Sequence, residues 1–260
     1  MTLPFSRSLI ASALTLGLVI GMATPALAEP DKKVQAYAEQ YKDEALKLLE
    51  RLVNIDTGSG YEPGLTQVRG IVVDELKKLG ASIETFPNTA PDKSSHVVAT
   101  LKGTGKAKIL LMAHMDTVFK EGSAAARPFH IKDGRAYGPG VMDDKGGIVA
   151  GLYALKILKN LDFKDYAQIT FLLDASEETG STAATELIQK VARQHDVTLN
   201  LEPGRPADGL VVWRKGSATA VVEVKGKASH AGVAPELGRN AAMEVAHQIL
   251  QLGKPGDAEK

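Results

Sequence analysis

Two short, continuous apolar runs constrain the fold of this chain more than any other feature. They lie at residues 109–113 and 169–173, and runs of this length are typical of strands buried on both faces of a sheet. Further strands are predicted at residues 96–101 and 197–201. Helical spacing of apolar residues predicts the intervening helices, at residues 31–54, 66–79, 145–158 and 182–193. This alternation predicts an α/β fold with a mostly parallel sheet flanked by helices.

The pattern changes in the last part of the chain. Residues 217–224 alternate in the manner of an antiparallel strand, and residues 235–252 have helical spacing. We therefore expect a first domain over residues 29–215. Residues 216–260 are predicted to be the beginning of a smaller α+β domain.

Acidic and imidazole side chains collect directly after the predicted strands. His114 and Asp116 follow one apolar run, and the adjacent pair Glu177 and Glu178 follows the other. Two more groups occupy comparable positions, namely Asp143 with Asp144 in the glycine-rich segment 137–147, and Glu202 after the strand at 197–201. The carboxyl ends of parallel strands face a common crevice where ligands bind. We therefore expect these side chains to share one site.

A cation is the simplest partner for such a cluster, because massed carboxylates repel one another and are costly to desolvate. The chain has no Cys, so its metal ligands must be His, Asp and Glu, a set that suits catalytic zinc. With more than four candidate ligands, two metals sharing a bridging carboxylate are one arrangement. A nucleic-acid partner is not expected. The chain has 31 basic and 31 acidic residues, whereas a nucleic-acid binder usually has a basic excess.

Residues 1–28 have the layout of a signal peptide. Arg7 is their only charged residue, an apolar run occupies residues 9–22, and small residues stand at Ala26 and Ala28. A membrane anchor is the alternative, but the run is shorter than the roughly 20 residues that span a bilayer. We expect cleavage after Ala28, and a mature chain that is exported, periplasmic or secreted, and not held in a membrane.

Several motifs together resemble one enzyme family. They are the segments LLMAHMDTV (110–118), YGPGVMDDKGG (137–147), SEETGS (176–181), LEP (201–203) and GKASHAG (226–232), and DTGSG (56–60) also fits. In this order they resemble the secreted zinc glutamate carboxypeptidases of the glucarpidase type, within the wider aminoacylase and peptidase family of co-catalytic zinc enzymes. The resemblance covers most of the chain after residue 28.

The resemblance implies two Zn²⁺ ions per complete subunit and a role for each ligand. His114 and Glu202 would bind one zinc, Glu178 would bind the other, and Asp143 would bridge both. The peptide bond between Asp143 and the following residue is typically cis in such enzymes. Asp116 would hydrogen-bond the second ring nitrogen of His114, which fixes the orientation of the ring.

The resemblance also implies a catalytic role for two further residues. Glu177 would stay free of metal as the general base that takes a proton from water and passes it to the departing amine. His230, in the predicted lid, would stabilise the developing oxyanion. The lid of such enzymes also forms a homodimer.

The sequence departs from the family pattern at its end. In the family the chain returns from the lid to complete the catalytic sheet, and this return supplies a last His ligand and a basic group that grips the substrate carboxylate. None of the six His residues occupies that place. We therefore expect residues 29–215 to form an incomplete catalytic domain, and the 260-residue chain to be inactive or weakly folded on its own.

The sequence favours an exported metallo-exopeptidase that acts on peptides or N-acyl amino acids and releases a C-terminal amino acid, with glutamate favoured. One alternative is an aminoacylase or dipeptidase of the same family. Another is an exported metal-binding or peptide-binding protein that has lost catalysis. The presence of Glu177 argues against the latter, since a protein that only binds has no need of an unliganded carboxylate there.

Overall fold

A computed structural model of the chain describes residues 31–87, 94–205, 209–216 and 220–253. The helices are α1 (Lys32–Val53), α2 (Glu62–Leu79), α3 (Ser123–Ala126), α4 (Lys145–Asn160), α5 (Thr185–Ala192) and α6 (Ala241–Leu252). The strands are β1 (Ser82–Pro87), β2 (Ser95–Lys102), β3 (Lys108–His114), β4 (His130–Lys132), β5 (Arg135–Tyr137), β6 (Gln168–Asp174) and β7 (Val197–Asn200). Short 3₁₀ turns lie at Glu177–Thr179 and Pro235–Leu237.

The predicted α/β fold is confirmed, and its main sheet is mixed. The strand order is β1-β2-β6-β3-β7, with β3 parallel to both β6 and β7. The strand β2 pairs antiparallel with β6, and β1 pairs antiparallel with β2, so β2 runs against the direction of the other four strands in this sheet. The four strands predicted between residues 96 and 201 all form within one residue of their expected bounds. The strand β1 was not predicted, because its side chains are mostly exposed and it lacks a strong apolar pattern.

The two faces of the sheet pack against different helices, because side chains alternate along each strand. On one face, Leu111 and Phe171 join the large core that also includes Leu52 of α1, Leu65 of α2 and Leu152 of α4. On the other face, the neighbouring positions pack against α5 in a smaller cluster formed by Val98, Leu110, Leu172 and Val191. The sheet is therefore the middle layer of three.

Helix ends follow the local sequence. The carboxylate of Asp31 accepts hydrogen bonds from the first backbone N–H groups of α1, as an N-cap residue does. Gly80 ends α2 with a φ of 94°, the left-handed conformation that glycine adopts without steric cost. The start of α2 was predicted at residue 66, but the helix begins at Glu62 with a proline in its first turn, a position where proline is well tolerated.

The chain divides into two compact units, one ending at Gly204 and the other beginning at Arg205. In the second unit, the predicted strand at 217–224 is not found in its described part, since residues 220–224 form no strand; residues 217–219 lie outside the described residues. The helix expected from residue 235 begins only at Ala241, after Gly238 adopts an extended conformation.

No helix in the described part of the chain is long and apolar enough to cross a membrane. The predicted signal peptide, residues 1–28, lies outside the described residues.

Candidate metal centre

The carboxyl edge of the parallel strands brings the predicted acidic residues and His114 together. His114 is the last residue of β3, and Glu177 and Glu178 form the 3₁₀ turn that follows β6. Asp143 lies just before α4, and Glu202 follows β7. The sheet register places His114 directly beside the last residue of β6, so the segments after both strands leave the sheet at the same level.

The ring of His114 is fully buried and faces carboxylate oxygens with one nitrogen. Its Nε2 lies 3.0 Å from Asp143 Oδ1, 3.8 Å from Glu202 Oε1 and 4.0 Å from Glu177 Oε2. Its Nδ1 lies 3.0 Å from the backbone oxygen of Asp116. Because a carbonyl oxygen can only accept, Nδ1 carries a proton and donates it there. This leaves Nε2 available as a ligand.

Two overlapping groups of side chains have the spacing of metal ligands. His114, Asp143 and Glu178 form one, and His114, Glu177 and Glu202 form the other; within each group the ligand atoms lie within 4.8 Å of one another. The side chains of Asp143 and Glu177 are 53% and 44% exposed, so the cluster opens to solvent on their side. The structure thus brings together every ligand predicted in the first unit, and it also places the predicted base Glu177 within reach of a metal.

Asp116 is the buried anchor of this cluster. Its Oδ1 lies 3.4 Å from His114 Nδ1, so its backbone oxygen, and not the carboxylate predicted from the resemblance, is the nearer partner of the ring. The carboxylate instead accepts hydrogen bonds from the backbone N–H groups of Glu177 and Glu178, at 3.0 and 3.1 Å. The hydroxyl of Ser59 also donates to it at 2.7 Å. Asp116 therefore ties three separate segments of the chain together.

The peptide bond between Asp143 and Asp144 is cis, as the resemblance implies. Asp144 is fully buried, and its Oδ2 accepts the backbone N–H of His114 at 3.2 Å. Its Oδ1 has no hydrogen-bond partner among the described residues. A Cβ atom on Gly147 would lie 2.2 Å from that oxygen and 2.2 Å from the carbonyl of Leu201. Glycine at this position therefore allows α4 to approach the end of β7 closely.

The charged groups of the cluster perturb one another strongly. Burial lowers the pKa of His114, but the hydrogen bond to Asp116 and the nearby carboxylates outweigh burial and raise this pKa to about 10. Burial raises the pKa of Asp144 to about 8, against the opposing effect of His114. Burial, together with neighbouring carboxylates, also raises the pKa of Glu177 and of Glu178. An added cation would reverse these trends by favouring the ionised carboxylates.

Lys145 joins the start of α4 to the loop after α1, a contact that the sequence did not predict. It is fully buried at the start of α4, and its Nζ donates to the backbone oxygen of Ile55 at 2.7 Å. Burial lowers the pKa of this ammonium to about 8. The loop after α1, which contains Ile55, also contacts the segment after β3, because the backbone N–H of Thr117 donates to the backbone oxygen of Thr57 at 2.9 Å. The DTGSG motif (56–60) marks this loop in the sequence, and its Ser59 is the residue that donates to Asp116.

His230 belongs to the second unit and is exposed there. Its Nδ1 accepts hydrogen bonds from the backbone N–H groups of Gly232 and Val233, both at 3.1 Å. Nε2 therefore carries the ring proton and is the free donor of this side chain.

A family model supports the assignment that the fold and the carboxylate cluster suggest. Residues 110–258, more than half of the chain, match the model of peptidase family M20/M25/M40. The chain belongs to this peptidase family. It is 39% identical over 256 residues to Carboxypeptidase G2 from Pseudomonas sp. (strain RS-16), an alignment that covers 98% of this chain and 61% of that protein. It is also 28% identical over 184 residues to the Beta-Ala-His dipeptidase of Homo sapiens, covering 64% of this chain and 36% of that protein.

Solved structures share the fold at lower identity. A tripeptidase from Staphylococcus aureus matches with a TM-score of 0.61 and 23% identity, over 84% of this chain and 58% of that one. Human carnosine dipeptidase 1 matches with a TM-score of 0.55 and 23% identity, over 69% of this chain and 41% of that one. The chain thus spans less than two thirds of the length of these relatives.

Proposed function

We propose that this protein is an exported, zinc-dependent exopeptidase that hydrolyses an amide bond and releases a C-terminal amino acid, with glutamate favoured. The observation that carries the proposal is the environment of His114 Nε2, which faces oxygens of Asp143, Glu202 and Glu177 within 4.0 Å. Without a cation, Nε2 keeps a proton among these oxygens, since the surrounding carboxylates raise the pKa of His114 to about 10. A metal cation would replace that proton and be ligated by the imidazole and the carboxylates together.

The donor set fits zinc. It consists of one imidazole and several carboxylates without thiolate, which suits an open catalytic site. His114 and Glu202 would hold one zinc, Glu178 would hold the other, and Asp143 would contribute to both, as the resemblance implies. Asp116 supports the assignment, since its backbone oxygen fixes the tautomer of His114.

When bound, the zinc ions supply Lewis acidity for the scissile carbonyl and lower the pKa of a water molecule. Glu177 would be the general base, accepting a proton from the attacking water and passing it to the departing amine. The half-exposed side chain of Glu177 can reach a substrate in the opening of the site. From the resemblance of the GKASHAG motif, we also propose that His230 is the residue whose Nε2–H stabilises the oxygen that becomes negative in the transition state.

The substrate class rests on similarity. The 39% identity to Carboxypeptidase G2 supports carboxypeptidase action, and the resemblance of the motifs to glutamate carboxypeptidases supports glutamate. A dipeptidase is the second candidate, because the chain is 31% identical over 161 residues to a Beta-Ala-Xaa dipeptidase from Lactobacillus delbrueckii subsp. lactis. We also propose that the protein forms a homodimer through its lid, residues 216–260.

The test uses the full-length protein, purified from the exported fraction of its host cells. A chelator removes the metal, zinc is added back, and the release of product is followed with N-benzoyl-glutamate, N-benzoyl-lysine and β-alanyl-histidine. We expect zinc-restored hydrolysis that is fastest with N-benzoyl-glutamate. Preferential hydrolysis of β-alanyl-histidine would favour the dipeptidase, and zinc binding without hydrolysis of any of the three would favour a non-catalytic metal-binding protein.

A further inference from the structure

The turn that carries Glu177 and Glu178 is not held by the hydrophobic core. None of the side chains from residue 177 to residue 181 is buried, and the next buried side chain is that of Ala184. The backbone of the turn closes on itself, since Gly180 N donates to Glu177 O at 2.7 Å. Its attachment to the sheet must therefore come from polar contacts.

One buried carboxylate joins the two ends of this turn. Asp174 is the last residue of β6 and only 3% exposed. Its Oδ1 accepts hydrogen bonds from the backbone N–H of Ser176 at 2.9 Å and from the Ser176 hydroxyl at 3.0 Å. Its Oδ2 accepts the hydroxyl of Ser181 at 2.5 Å, the length of a charge-assisted bond.

His96 holds Asp174 from the neighbouring strand. Its ring is 1% exposed, and Nδ1 lies 2.9 Å from Asp174 Oδ1. The backbone N–H of Ala175 also points at this Nδ1, from 3.2 Å, and competes with the carboxylate for it. The contact with Asp174 is shorter and an ionised carboxylate can only accept, so we place the ring proton on Nδ1. Burial opposes ionisation of Asp174, yet the hydrogen bonds from His96 and Ser181 outweigh it and hold its pKa below the usual range.

We propose that Asp174, fixed by His96, is a positioning residue that sets the turn 176–181 so that Glu177 and Glu178 face the metal centre. Asp174 holds the two ends of the turn, whereas Asp116 holds its middle through the N–H groups of Glu177 and Glu178. This inference rests on the proposed function, because it assumes that these two carboxylates act at a zinc site.

Two variants of the full-length protein test the inference. Asp174→Asn removes the charge with little change of shape. Ser181→Gly removes one hydroxyl donor at a position where φ is 50°, a conformation that glycine adopts readily, so this variant should fold even where Asp174→Asn does not. Asp196→Asn is the matched control, because Asp196 also accepts a backbone N–H, that of Lys108, at the opposite end of the strands.

The first readout is amide hydrogen exchange in the metal-free protein. We expect the amides of Glu177 and Glu178 to exchange roughly tenfold faster or more in both variants, as loss of a hydrogen bond to a charged group implies, while amides of β3 and α4 keep their rates. The second readout is zinc affinity by chelator competition, which should fall about 10–100-fold. With N-benzoyl-glutamate, kcat should fall more than KM changes, and the control should match wild type throughout.

Exchange at wild-type rates with unchanged zinc affinity in the folded variants would overturn the inference. Uniformly faster exchange across the whole first unit would overturn it too, because Asp174 would then serve only global stability. A wild-type protein that hydrolyses none of the substrates would count against the proposed function, and the exchange and zinc measurements would still decide the role of Asp174.

Discussion

The backbone N–H of Glu177 donates to the buried carboxylate of Asp116 across 3.0 Å. This bond connects the segment after β3 with the turn after β6, two segments about sixty residues apart in the chain. The backbone oxygen of Asp116 also accepts a hydrogen bond from Nδ1 of His114. The orientation of the imidazole and the placement of the candidate base therefore depend on one residue.

Replacing Asp116 should harm both stability and metal binding. Asp116→Ala leaves the N–H groups of Glu177 and Glu178 without their acceptor, and an unsatisfied buried donor costs about 1–3 kcal/mol. We expect lower stability in urea unfolding of the metal-free protein and a fall of about 10–100-fold in zinc affinity. The exposed Asp165 provides a control in Asp165→Ala. Unchanged stability in Asp116→Ala would show that the turn does not need this carboxylate.

Replacing Glu177 should separate catalysis from metal binding. With Glu177→Ala in the full-length protein, we expect turnover to vanish while the zinc content stays near two per subunit, because the base would be lost and the ligands kept. Kinetics and elemental analysis of the same sample measure both quantities, and Glu186→Ala on the exposed side of α5 is the control. A loss of zinc would instead make Glu177 a ligand, as its grouping with His114 and Glu202 allows.

His230 should affect rate and not metal content. If its Nε2–H stabilises the oxyanion, His230→Ala should lower kcat about 10²–10³-fold, the range for loss of one such donor. The exposed His247 on α6 gives the control variant His247→Ala. Steady-state kinetics with N-benzoyl-glutamate measure the effect, and a kcat equal to that of wild type would remove His230 from the mechanism.

Asp174 should make stability depend on pH in the acid range. Its pKa lies below the usual value because hydrogen bonds from His96 and Ser181 outweigh burial. A carboxylate with a depressed folded pKa stabilises the fold above its unfolded pKa of about 3.9. This contribution is lost as the pH falls through the folded pKa. In urea unfolding, the difference between wild type and Asp174→Asn should therefore be largest near neutral pH and shrink below about pH 4. A difference that is constant with pH would contradict this origin.

Export should leave a defined amino terminus. If residues 1–28 are a signal peptide, mass spectrometry of the exported protein should find Glu29 as the first residue. Ala28→Arg should block cleavage, because a small residue is required directly before the cut. Recovery of the intact precursor from the wild-type protein would refute the prediction.

The sequence predicted most reliably those elements whose formation depends on continuous burial. The apolar runs at 109–113 and 169–173 became β3 and β6 with two residues or fewer of difference. Their position in a parallel sheet sufficed to gather His114, Glu178 and Glu202 at one edge. Elements with little burial were predicted less well. The strand β1, which is largely exposed, was missed, and the helix predicted from residue 235 is interrupted near Gly238.

Contacts that depend on strand register could not be predicted. His96 has no neighbouring motif in the sequence that would indicate a partner, yet the antiparallel pairing of β2 with β6 brings it beside Asp174. The burial of Lys145 could not be predicted either, because its partner Ile55 lies 90 residues earlier in the chain. Such pairs follow from the assembled fold and leave no local pattern.

The register of β6 also determines where the chain can change in length. Inserting one residue within Gln168–Asp174 would turn Asp174 to the opposite face of the sheet and advance the following turn by about 3.3 Å. Glu177 and Glu178 would then lose their alignment with His114. Residues 161–165 precede the strand at its far end and have no fully buried side chain. Insertions and deletions among homologues should therefore accumulate there and be absent between β6 and Ser181.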